Sequence, residues 1–122
     1  MIPLMEGHEM KLRMGKRSVN GVTILDLSGE IVLGEESSLL RKTLRDLIAG
    51  GDRKILLNLG ALTYIDTSGL GTLISAFGEM NNQKGQLKLL SLTKRVHAVM
   101  QITKLLTVFD VFDSEEEAIN SF

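Results

Sequence analysis

The segment "YIDTSGLGTLISAF", Tyr64 to Phe77, constrains this chain more than any other, because in it an apolar strand pattern passes straight into a helical one. With Asp66 as the residue before the first helical turn, its carboxylate accepts from backbone N–H groups two or three residues on. Ile65 and Leu70 then take the two places of a hydrophobic staple. Thr67 and Ser68 fall in the first turn, where unpaired N–H groups and the helix dipole favour negative charge, so Ser68 is placed to carry an anion. Farther along, Leu70, Leu73, Ile74, Phe77 and Met80 read as the core stripe. The opposite face reads Ser68, Gly71, Thr72, Ser75, Gly78 and Glu79, nearly all of them small. Each glycine inside a helix costs about 1 kcal/mol relative to alanine. The reading that offsets this cost is a low ridge beside an exposed hydroxyl, close to which another protein's backbone can come. Caps and turns alone account for an isolated D-T-S-G; the paired glycines and the small-residue face go beyond capping.

The flanking sequence supplies the frame. Lys11 to Leu27 reads as two strands around Asn20-Gly21, a dipeptide suited to a type I′ hairpin turn. "SGEIVL" reads as a further short strand, and "GEESSLLRKTLRDLIAGG" as a helix with Leu40, Leu44, Leu47 and Ile48 inward and a left-handed stop at Gly50-Gly51. "KILLNL", Lys54 to Leu59, is a nearly continuous apolar run, as expected of a central strand covered on both faces. After the quoted helix, "QLKLLSL" reads as a strand and "TKRVHAVMQI" as a helix capped by Thr93, with Val96, Val99 and Met100 inward. "TVFDVF" reads as a short strand, and "DSEEEAINSF" as a final helix with the Ser114/Glu117 spacing of a capping box. Strands alternating with helices after a starting hairpin imply an α/β domain with a mixed, largely parallel β-sheet and flanking α-helices. A single domain is expected over residues 10–122, preceded by a flexible N-terminal tail, residues 1–9.

Composition removes several classes of function. Fourteen Lys and Arg against fifteen Asp and Glu leave a net charge of -1, so no overall basic field holds nucleic acid or an anionic membrane. No cysteine is present, and the two histidines stand far apart, so thiolate chemistry is excluded and neither a metal nor another cofactor is expected. Glu6, His8, Glu9 and Lys11 interrupt any signal-peptide core, and no apolar run approaches the roughly 20 residues of a membrane-spanning helix. A cytoplasmic protein without direct membrane insertion is expected.

Taken with the order of elements around it, "DTSGLG" resembles the signature of STAS domains, above all the bacterial anti-sigma factor antagonists. Their motif reads D-[ST]-S-G-L-G after a central strand. The resemblance runs from about Leu12 to the C-terminal helix and includes "LSGEI" and "LLTVFDVF". It implies a phosphorylatable serine at the position of Ser68, and a switch. Unphosphorylated, such proteins bind an anti-sigma factor serine kinase and free the sigma factor. The kinase, with ATP, phosphorylates the serine, and a metal-dependent serine phosphatase reverses this. Asp66, Thr67, Ser68, Gly69 and Leu70 match the motif directly. With Gly71, Thr72 and Ser75 from the small-residue face, Asp66, Thr67, Ser68 and Gly69 make up the expected partner-binding set. Where many antagonists carry an aspartate shortly after "GE", this chain has Val32, with Glu35 and Glu36 later. The alternative within the same family is a subunit docked constitutively in a lipid-transport or stress-signalling assembly, in which Ser68 need not be phosphorylated.

Catalytic readings fail residue by residue. Asp66 and Leu70 occupy the glycine positions of a G-x-S-x-G elbow, and "SLTK", Ser91 to Lys94, lacks the partner motifs of an S-x-x-K enzyme. "GLGTLI" ends in Ile74 where a dinucleotide fingerprint needs glycine. Lys94, Arg95, His97 and Lys104 form a mildly basic strip that reads as a solvated face balanced by "SEEE". The expectation is a binding module with no catalysis of its own.

Overall fold

The computed structural model describes residues 10–122, so the expected tail at 1–9 lies outside the described residues. Strands β1 (Leu12–Val19) and β2 (Val22–Ile31) form the expected hairpin. Asn20 and Gly21 both take positive φ, 51° and 81°, as a type I′ turn requires. The separate strand expected at "SGEIVL" does not exist: β2 runs unbroken through Ser28, Gly29 and Glu30. Helix α1 (Glu35–Ala49) follows and is stopped by Gly51 at φ 102°.

Strand β3 (Lys54–Ile65) is central in a five-stranded sheet of order β1-β2-β3-β4-β5, antiparallel only between β1 and β2. It is twice the length that the run Lys54 to Leu59 announced. Between Asn58 and Tyr64 it takes up two extra residues against β2. These bulges set the buried residues Leu59, Leu62 and Ile65 at intervals of three, a spacing that hides a strand from any search for alternation. Pairing with β4 (Gln86–Leu90) ends at Asn58, so the second half of β3 runs on paired with β2 alone, as far as Ile31↔Ile65, and delivers Asp66 at its tip.

Helices α2 (Thr67–Asn82) and α3 (Lys94–Ile102) join α1 on one face of the sheet, closing the main core over Leu25, Leu27, Ile55, Leu57 and Leu59. Thr93 caps α3 as expected, with Val96 and Met100 buried. The expected strand at "TVFDVF" is corrected: Leu105–Thr107 is a 3-10 turn and only Val111–Phe112 pairs, as β5. Helix α4 (Glu115–Asn120), capped by Ser114, covers the other face over Val22, Ile24, Leu56 and Leu90. There Arg17 bridges Asp26 and Glu115, with Nε 2.7 Å from Asp26 Oδ2 and Nη1 2.9 Å from Glu115 Oε2. Those hydrogen bonds hold both carboxyls below their ordinary range and raise the guanidinium further. Glu115 is therefore committed to Arg17, while Lys94, Arg95 and His97 lie exposed on α3. Among the described residues no helix is long and apolar enough to cross a membrane.

Candidate functional site

The junction of β3 and α2 is held by one carboxylate. Asp66 is extended (φ -100°, ψ -175°); its Oδ1 accepts from Gly69 N–H at 3.0 Å, and its Oδ2 accepts from Leu33 N–H at 2.8 Å. Its own N–H donates to the carbonyl of Ile31 at 3.1 Å. The cap expected from sequence is present, with Ile65 and Leu70 both buried beside it. Sequence did not announce the second bond, which ties the loop between β2 and α1 to the start of α2. That bond leaves the Leu33 side chain 78% exposed next to the site.

The two glycines answer different needs. A Cβ built on Gly69 would lie 2.7 Å from both Ile31 Cγ2 and Ile65 Cγ1, too close for any real contact. Gly69 is buried because the first turn of α2 presses on β2 and β3, which removes it from the expected partner-facing set. A Cβ on Gly71 would meet nothing within 4 Å. Gly71 and Ser75 are exposed, as the low ridge requires.

Thr72 is corrected too, for it is only 2% exposed. The buried face of α2 is rotated toward α1, taking in Thr72 and Ala76 and leaving Ile74 out at 44% exposure, although Ile74 had been expected in the core. The cause is helix on helix: α2 packs on α1 as well as on the sheet, and the seam between them is polar at its upper end. Ser68 Oγ lies 2.7 Å from Ser37 Oγ, and Ser37 Oγ lies 3.3 Å from Thr72 Oγ1. Thr72 Oγ1 donates to the Ser68 carbonyl at 3.2 Å. Each hydroxyl has one proton to give. With that of Thr72 committed, all three contacts are hydrogen bonds only if Ser37 donates to Thr72 and Ser68 donates to Ser37. The Ser68 hydroxyl, expected to be exposed, is half-buried, with its oxygen against Ser37.

Below this relay the seam widens into a groove of about 270 Å³. Thr72, Ser75 and Ala76 form one wall, and Leu44 and Ile48 part of the other, with Arg41, Arg45 and Glu79 around it. Lys42, between the arginines in sequence, is paired with Asp46 at 2.8 Å. Arg41 and Arg45 are exposed and have no ion pair among the described residues. Among those residues no cluster of three or more His, Asp or Glu side chains could hold a metal ion.

Ser37, Leu33 and Arg41 were missed as site residues. Only Ser37 left a trace in the sequence. It stands three positions before Leu40 on the stripe of Leu40, Leu44 and Leu47, and a polar residue on a buried stripe must find a hydrogen-bond partner.

A family model described as the STAS domain matches residues 14–118. BtrV of Bordetella bronchiseptica, provisionally named as an anti-sigma factor antagonist, is 32% identical over 113 residues, covering 93% of this chain and 95% of BtrV. The anti-sigma F factor antagonist of Paenibacillus polymyxa is 26% identical over 111 residues, covering 90% of this chain and 94% of its own. Among solved structures, that of a Thermotoga maritima protein, provisionally named an anti-sigma factor antagonist, superimposes with a TM-score of 0.79. It is 25% identical, covering 88% of this chain and 92% of that one.

Proposed function

The chain belongs to the STAS domain family, and from that premise we propose that it is an anti-sigma factor antagonist, a regulatory binding protein that docks an anti-sigma factor through the start of α2. The observation that carries this reading is the arrangement at that start. Ser68 sits half-buried at the rim, with the exposed Thr67, Gly71 and Ser75 beside it and nothing standing above Gly71. A partner can lie against the helix backbone there and cover Ser68 directly. The exposed Leu33 and Ile74 give such a contact two apolar anchors.

Control is by phosphorylation of Ser68, with a serine kinase in the anti-sigma factor and a metal-dependent phosphatase to reverse it. A phosphate adds about -1.5 to -2 charges at pH 7. A partner covering Ser68 would have to desolvate that group beside Asp66, which weakens binding. The support is the match of Asp66, Thr67, Ser68, Gly69 and Leu70 to the family motif, in a setting where the serine is half-buried at the rim beside the exposed Thr67 and Gly71. The test is incubation with an anti-sigma factor kinase and ATP. Stoichiometric phosphate on Ser68, with loss of the complex, supports the switch. A stable complex with no phosphate incorporated would favour constitutive docking in a larger assembly.

A further inference from the structure

We propose that the seam between α1 and α2 is an intramolecular receptor for a phosphate on Ser68, with Arg41 as its cation; the proposal rests on Ser68 being the modified residue. Ser68 Oγ is aimed at α1, 2.7 Å from Ser37 Oγ. A phosphorus atom bonded to Ser68 Oγ therefore starts in the seam. It cannot move inward, because Ser37 is 3% exposed and Thr72 2% exposed. One turn farther along the seam from the half-buried Ser68 lies the groove that Thr72 and Arg41 both line. Thr72 is one turn beyond Ser68 on α2, and Arg41 one turn beyond Ser37 on α1, so the Ser37–Ser68 contact sets the Arg41 backbone level with Thr72, one turn from the phosphate.

Side chains on a helix lean toward its N-terminus, which carries the Arg41 guanidinium back toward Ser37 and leaves Arg45 a turn farther off. Arg41 has no ion pair to give up among the described residues. Its planar fork suits two phosphate oxygens at once. Esterification also removes the Ser68 proton, which frees the Ser37 hydroxyl to turn from Thr72 and donate to the ester or a phosphate oxygen. The acids around the site favour the same direction. Asp66 lies behind Ser68 on the amides of Gly69 and Leu33, Glu36 accepts from Lys11 N–H at the first turn of α1, and Glu35 is its neighbour. All three repel a phosphate from the helix starts. Glu79 is eleven residues along α2 from Ser68, roughly 16 Å at 1.5 Å per residue, and so lies nearer Arg45 than the phosphate.

The test uses the full chain with phosphoserine installed at position 68 during translation, and reads the second ionisation of the phosphate by ³¹P nuclear magnetic resonance. Removing a unit charge about 4 Å away in water is worth about 0.7 pH unit. Arg41→Gln is expected to raise the midpoint by about that amount, Arg41→Lys to restore most of it, and Arg45→Gln to move it much less. An unchanged midpoint in Arg41→Gln, or a larger rise in Arg45→Gln, overturns the proposal. Both arginines are exposed, and amide spectra of each variant check that the fold is kept. Because the phosphate is installed without a kinase, a kinase that ignores Ser68 would refute the switch and leave this result standing, and the reverse also holds.

Discussion

Ser37 on α1 and Ser68 on α2 are joined hydroxyl to hydroxyl at 2.7 Å, across 31 residues of sequence. The candidate phosphorylation site is thus part of the packing between two helices. Breaking one such neutral hydrogen bond costs about 0.5–1.5 kcal/mol. Ser68→Ala is expected to lose about that much stability, to stay folded and to keep its partner. Intact mass after incubation with kinase and ATP should show no phosphate; incorporation equal to that of the unsubstituted chain would move the assignment to Thr67.

The two glycines of the first turn should respond to alanine with opposite signs. Gly69→Ala drives a Cβ into Ile31 and Ile65, an overpacking worth about 1–3 kcal/mol of destabilisation. Gly71→Ala enters open space and should gain up to about 1 kcal/mol in helix propensity. Urea titrations of the two variants decide the matter, and equal signs would refute the distinction.

Gly71→Leu and Ser75→Trp place bulk on the exposed ridge and should weaken partner binding by more than about 1.4 kcal/mol, tenfold in affinity, with melting temperatures little changed. Leu73→Asp, at a position with 0% exposure, should unfold the domain instead. Unaltered isotherms for both ridge variants would mean that the partner docks elsewhere.

The Arg17 bridge makes a prediction for acid. The folded-state values of Asp26 and Glu115 lie below the ordinary 3.8 and 4.5, chiefly through hydrogen bonds from Arg17. A depressed carboxyl contributes stability that is full above its unfolded value and is lost as the pH falls through the folded one. The three side chains are more than a third exposed, so screening limits the contribution to about 1 kcal/mol or less. Arg17→Gln should therefore be less stable than the parent chain at neutral pH. The gap should narrow as the pH drops below 4.5 and then below 3.8; a gap that widened in acid would assign the stability of this bridge to something other than ionised carboxyls.

Local chemistry was enough to place most of the elements. The Asn20-Gly21 turn, the caps at Asp66, Thr93 and Ser114, and the stop at Gly51 each depend on a few adjacent residues, and each appears where those residues stand. The same holds for Ser68 in the first turn of α2 and for Gly71 and Ser75 on its open side. Strand β3 was legible only as far as Leu59, because its bulges arise from pairing with β2 and not from its own pattern.

What sequence could not decide was which side of α2 faces inward, since a helix has one apolar stripe in one dimension but two neighbours in three. Its docking against both the sheet and α1 buried Thr72, exposed Ile74 and turned Gly69 from a docking surface into a packing requirement. The same packing brought together groups that sequence keeps apart: the Leu33 amide with the Asp66 carboxylate, Ser37 with Ser68, and Arg41 with the groove beside Thr72. Residues adjacent along the chain determine caps, turns and stops, because those bonds close within a few positions. The surroundings of Ser68 were decided by contacts across more than thirty residues, which exist only once α1 and α2 lie side by side on the sheet.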